Sequence, residues 1–120
     1  MQPGTRRPGP VNIPRHDYYR GRALFIQGPK TFSSAGILLT TVRDNGLGTI
    51  VGTTSSYSPS HYGEVLSFRL PNTEVLGSVC TKYFERADKS CAEDKTLEPD
   101  VYLDLEDKDG AWEKLMELCL

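Results

Sequence analysis

Residues 22–52, RALFIQGPKTFSSAGILLTTVRDNGLGTIVG, limit most strongly what this chain can become. RALFIQ is a short apolar run bounded by Gly21 and by Gly28-Pro29, too short for an ordinary helix, and it reads as a buried strand. Ala35, Leu38, Leu39 and Val42 then recur at i, i+3, i+4 and i+7, which predicts a helix from about Ser33 to Asn45. Asn45-Gly46 is a good stop for it. GTIVG is a second short run rich in β-branched residues, so the helix is expected to be the crossover of a βαβ unit with parallel strands.

The polar stretch TTSSYSPSHYG follows as a loop. EVLSFRLPNTEVLGSVCTKYFE alternates on both sides of Pro71-Asn72, with Leu66, Phe68 and Leu70 on one face and Val75, Val79 and Tyr83 further on, and reads as a β-hairpin. RADKSCAEDK is charged and expected to loop out, and LEPDVYLDL supplies a last short strand entered through a proline. The end of the chain reads as a helix capped by Asp109, whose Trp112, Leu115, Met116 and Cys119 form a core-facing stripe. Residues 1–20 differ: the first nineteen hold four prolines and two glycines with no apolar period, the composition of a flexible arm or linker. The folded unit is therefore expected over residues 21–120.

Composition removes several classes of function. A net charge of -2 and pI near 5.6 give no long-range attraction for nucleic acid or an anionic membrane. No apolar run approaches the roughly 18–20 residues that span a bilayer. The three cysteines, Cys80, Cys91 and Cys119, lack the paired spacing of a zinc or redox site, so no metal and no cofactor is expected.

The serine pair Ser33-Ser34 falls where strand turns into helix, at the carboxyl edge of the sheet, the place where open α/β folds bind ligands. Free N–H groups there, with the positive end of the helix dipole, stabilise negative charge on oxygen. A serine at that turn is placed to attack a carbonyl while the next N–H holds the oxyanion. Serine is also a preferred N-cap, so the spacing by itself fits either role.

TFSSA, the helix ending VRDNGLGTIVG, the phrase YGEVLSFRLPNT and the later LEPDV occur in the order seen in the carboxy-terminal processing peptidases. Over residues 22–104 the chain resembles the catalytic domain of that family, also called the tail-specific proteases. These are serine peptidases with a crotonase/ClpP-like fold, and they include the tricorn-like peptidases. The resemblance implies an α/β, ClpP/crotonase-like partial domain: a βαβ unit, a hairpin, a short strand and a carboxy-terminal helix. It implies a serine endopeptidase in which Ser33 is the nucleophile, Ser34 gives its backbone N–H to the oxyanion hole and Asp44 caps or pairs. Tyr57, Tyr62 and Gly63, in the loop SYSPSHYG that would wall the active site together with the extended EVLSFRL, are then candidate substrate contacts. A peptide or protein is the implied substrate, and relatives are commonly exported.

The chain also departs from the pattern. The lysine base of the processing peptidases falls by spacing near Ser58, and this loop has no lysine. His61 is the candidate base in its place, ahead of Lys30. In the tricorn-like arrangement a Glu shortly before a Pro-Asp pair orients the base, and Glu93 stands at that distance from Pro99-Asp100. Gly36 replaces the usual acidic residue after the serine motif. The glycine-rich segment that gives a second oxyanion donor is not among these residues, so the chain reads as the carboxy-terminal part of a peptidase core. Such a part is expected to pair with a missing amino-terminal half or to form a homo-oligomer. The alternative is a non-catalytic peptide-binding or truncated relative of the same fold.

Overall fold

The computed structural model describes residues 19–120; the expected arm, all but its last two residues, lies outside them. The chain is mixed α/β. β1 (Leu24–Gln27) leads through a tight turn into α1 (Ser34–Asn45), which returns to β2 (Thr49–Gly52). β1 and β2 are parallel, with Leu24 opposite Thr49 and Gln27 opposite Gly52. The hairpin β3 (His61–Arg69) and β4 (Leu76–Phe84) follows. A short 3₁₀ turn (Lys89–Cys91) leads on to β5 (Val101–Tyr102) and α2 (Lys108–Cys119). β5 joins the far side of β2 in parallel, giving a three-stranded sheet in the order β1-β2-β5, while β3 and β4 form a separate antiparallel ribbon.

The sequence explains how the βαβ unit closes. Leu39 and Val42 of α1 pack on Ile50 of β2 and Leu97, with Phe25 of β1 against them. Gly46 ends the helix at φ 61°, where glycine carries no Cβ penalty, and Leu47 N–H donates to the Val42 carbonyl at 3.0 Å. Gly52 ends β2 because a Cβ there would meet the Gln27 carbonyl oxygen at 2.0 Å. The Leu97–Asp100 segment is a staple: the Asp100 carboxylate accepts the Ile50 N–H at 2.7 Å and pairs with Arg43 at 2.8 Å. The wholly buried Gln27 amide donates to the Leu97 carbonyl at 2.6 Å.

Four expectations are corrected. β1 is an edge strand rather than a buried one, and Ile26 is 59% exposed. The cap of α2 is Asp107, whose carboxylate accepts the Gly110 N–H at 3.1 Å; Asp109 lies in the first turn instead. The α2 stripe is not core: no residue of that helix is buried and Trp112 is 64% exposed, because no described element covers that face. RADKSCAEDK does not simply loop out. Its Arg86 is buried and paired with Asp44, which ties the segment to α1.

Candidate functional site

The turn between β1 and α1 is held from within. Thr31 N–H donates to the Gly28 carbonyl at 3.0 Å and Gly28 N–H to the Thr31 hydroxyl at 3.1 Å. This forces an abrupt change of direction at Ser33, the N-cap of α1, which adopts φ 56° and ψ −129°. A non-glycine residue in that region is strained, by an amount on the order of 1–3 kcal/mol. The Ser33 side chain makes no capping hydrogen bond and is exposed, and its carbonyl accepts the Ile37 N–H at 2.9 Å. The N–H groups of Ser34, Ala35 and Gly36, in the first turn, have no acceptor within the helix. The ordinary gain from a serine cap, about 1 kcal/mol, is therefore not taken.

Ser33 and Ser34 open on a groove of about 580 Å³. Its other walls are the Ser56–Ser58 stretch, the start of β3 from His61 to Val65, and Phe84 of β4, with Phe32 and Ile37 beside the serines. The lining is chiefly apolar and aromatic, and Glu64 is its one acidic member. Glu64 also has a positive φ, 53°, in the middle of β3. Among the described residues, two of the three non-glycine residues with positive φ thus line this groove, and such strain tends to cluster at functional sites.

His61 opens β3 and is brought to the same groove. Its ring stacks on Phe84, with centroids 5.2 Å apart and planes 14° off parallel. Its Nδ1 lies 2.8 Å from the Tyr57 hydroxyl. Tyr57 lies against the serine helix: a Cβ on Gly36 would come within 2.3 Å of the Tyr57 ring. Glycine at position 36, where the resemblance leads one to expect an acid, is what admits this ring. Burial pushes the Tyr57 hydroxyl up to about 12. Of the candidate substrate contacts, Tyr62 is 72% exposed and Gly63 lines the groove, whereas Tyr57 is only 7% exposed and offers little surface to a ligand.

Glu93 is exposed and is not among the groove-lining residues, although its neighbour Asp94 accepts a hydrogen bond from Ser58 through its carbonyl at 3.2 Å. Lys30 is likewise exposed and outside the groove. Asp44, at the other end of α1, is a structural pair. Its carboxylate meets the Arg86 guanidinium at 2.5 Å and accepts the Asp88 N–H at 2.9 Å. Burial alone would raise the Asp44 carboxyl; the Arg86 hydrogen bond, the Asp88 N–H and the Arg86 charge outweigh it and hold the group below its usual value. Arg86 also meets Asp94 at 2.8 Å, and its N–H donates to the Ser60 hydroxyl at 3.3 Å. Among the described residues no group of three or more His, Cys, Asp or Glu could hold a metal ion. No described helix is long and apolar enough to cross a membrane.

A strained, uncapped serine at a helix start, opening on a histidine-bearing groove, is the setting in which family membership matters. The pattern of Peptidase family S41 matches residues 5–103. The chain belongs to peptidase family S41. The mature CPAF crystal structure is similar in fold, with a TM-score of 0.50 and 23% identity over 80% of this chain. This S41 chain corresponds to 18% of that chain. No curated protein matches it.

Proposed function

We propose that this chain is the part of a serine endopeptidase that carries the nucleophile, Ser33, within a tail-specific, tricorn-like branch of the family and a ClpP/crotonase-like catalytic domain. One observation carries the reading: Ser33 is held at φ 56° on an abrupt strand-to-helix turn with its hydroxyl exposed and uncapped. On other α/β folds such a strained elbow presents a nucleophile above the sheet. The Ser33 Oγ forms a bond to the scissile carbonyl carbon while its proton passes to His61. The Ser34 N–H, at the positive end of α1, stabilises the oxyanion. The C–N bond then breaks, the amine leaves with the proton, and water hydrolyses the acyl-enzyme to a carboxylic acid and free Ser33. Tyr62 and Gly63 supply the groove wall nearest an extended substrate.

A fluorophosphonate probe tests this on the 120-residue chain. Attack by Ser33 makes an Oγ–P bond and expels fluoride, with the hydroxyl proton going to His61. Labelling of wild type and of Ser34→Ala, but not of Ser33→Ala, is the expected result. A folded wild-type chain that takes no label overturns it. The loop before β3 has no lysine, so that outcome favours the second reading, a relative that binds an extended peptide in the same groove without cleaving it.

A further inference from the structure

We infer that the apolar face of the β3–β4 hairpin is a docking surface for a second copy of this chain, the two hairpins packing face to face with their directions reversed. The inference stands apart from the reading of Ser33 as nucleophile.

The hairpin is rooted in the rest of the chain only at its base. His61 and Phe84 are partly covered there, whereas every residue from Glu64 to Arg69 and from Ser78 to Tyr83 is exposed. Strand alternation places Leu66, Phe68 and Leu70 on the same side as their cross-strand neighbours Val79 and Val75. Leu66 stands opposite Val79, and the Leu70 N–H donates to the Val75 carbonyl at 3.0 Å. Each of these five side chains is 44–59% exposed. Phe68 lies across Gly77, where a Cβ would meet its ring at 2.5 Å, so the middle of the face is already filled from within. Tyr62 and Tyr83 extend it towards the base, their rings 4.8 Å apart. A two-stranded ribbon is marginal in water until an apolar face is covered, and no described element covers this one.

Area and charge identify the occupant. The seven side chains leave roughly 800 Å² in water, more than the ~300–600 Å² of the largest patch on an ordinary monomer and about what each partner of a standard interface contributes. The four charged side chains of the hairpin, Glu64, Arg69, Glu74 and Lys82, are spent on one another: Glu64 pairs with Lys82, and Arg69 with Glu74 at 2.5 Å. They form a neutral polar rim at either end of the apolar centre, the layout of a protein interface. With no unpaired charge to select a charged partner, the face is complementary to another like itself, and self-complementarity is what a two-fold dimer requires. Reversal of direction follows from bulk. The βαβ unit stands at the base of the hairpin, so parallel packing would drive two such units together. Reversed packing separates them and centres the interface on Leu66 and Val79, four residues from Tyr62 at one end and from Val75 at the other. The small Leu70–Val75 end of each copy then meets the large Tyr62–Tyr83 end of its mate, and Val79 lies against its own counterpart.

Sedimentation velocity on the 120-residue chain tests this. Wild type is expected to be dimeric at about 100 μM and to dissociate on dilution, as a standard-size interface of moderate affinity does. Val79 is exposed in the single chain, so Val79→Lys and Val79→Glu keep the wild-type far-UV circular dichroism. Each sets like charges against each other and weakens the dimer roughly 100-fold or more, and mixing the two variants restores it. The α2 stripe is the other bare apolar face, so Trp112→Lys is the control that leaves the dimer intact. Wild type supplies a second readout: on dilution the methyl NMR signals of Leu66, Leu70, Val75 and Val79 shift while the Trp112 indole signal does not. A wild-type chain that stays monomeric at that concentration leaves the face to a different protein and overturns the inference. A dimer that survives Val79→Lys, folded Lys and Glu variants that do not associate when mixed, or dilution shifts confined to Trp112 overturn it as well.

Discussion

The two ends of α1 are built to opposite rules. At the carboxyl end the Asp44 side chain is 1% exposed, and its carboxylate receives two guanidinium nitrogens of Arg86 and the Asp88 N–H. At the amino end Ser33 is exposed, strained in φ and without a capping bond. One terminus has its hydrogen-bonding capacity filled; the other keeps donors and a hydroxyl unspent. Polar capacity left open beside a groove, at the positive end of a helix anchored at its far end, is available to a ligand. The difference separates what holds the helix in place from what the helix holds out.

Breaking the filled end has the largest effect. Arg86→Ala leaves the buried Asp44 carboxylate with backbone N–H donors but no cationic partner, which costs about 3–5 kcal/mol. Urea unfolding measures the loss, and a midpoint within error of wild type would show that the pair does not anchor α1. Gly36→Ala, nearer the open end, is next. Helix propensity favours alanine by about 1 kcal/mol, but its Cβ would meet the Tyr57 ring at 2.3 Å. Overpacking of a well-filled site costs about 1–3 kcal/mol, so the net change is a loss, read in the same urea titration and accompanied by a shift of the His61 ring signals.

Much of this contrast was open to a sequence reader, and some of it was not. The βαβ unit was legible because period-3.6 and β-branched runs are local signals, and Gly46 could be read as the stop for the same reason. The hairpin followed from alternation, with Leu66 opposite Val79 and Phe68 opposite Gly77. The serine turn was legible as a candidate site, but not its strain, which depends on the paired bonds between Gly28 and Thr31. Arg86 was missed because its partner Asp44 is 42 residues away and its own segment has the composition of a solvated loop. Tyr57 was read as a loop residue that contacts substrate, and only the glycine beneath its ring could have signalled that it is buried against α1. The α2 stripe shows the converse: periodicity states which face is apolar and does not state what covers it.

Acid sharpens the comparison without altering the open end. The Asp44 carboxyl is held below the ordinary aspartate value of 3.8 in the folded chain. Its contribution is therefore complete above that value and is lost as pH falls below it through the lowered folded value. Urea midpoints taken from pH 7 down to pH 3 should fall less steeply in Asp44→Asn than in wild type, from a lower starting point. Equal slopes would mean that other carboxylates account for the acid sensitivity.

The smallest effect is also the one that tells strain from capping. Ser33→Gly removes the Cβ that makes φ 56° costly and deletes a hydroxyl that caps nothing. Glycine gives back some of the gain as unfolded-chain entropy, so the expected result is a stabilisation of roughly 0.5–1 kcal/mol together with loss of probe labelling. Ser33→Ala loses labelling too, but keeps the Cβ and the strain and shows no such gain. If glycine destabilises as much as alanine, the Ser33 hydroxyl is supporting the helix after all. If glycine alone stabilises, the chain sacrifices stability at the position where it holds the Ser33 hydroxyl out to the groove, as the proposed nucleophile requires of a site maintained for chemistry against stability.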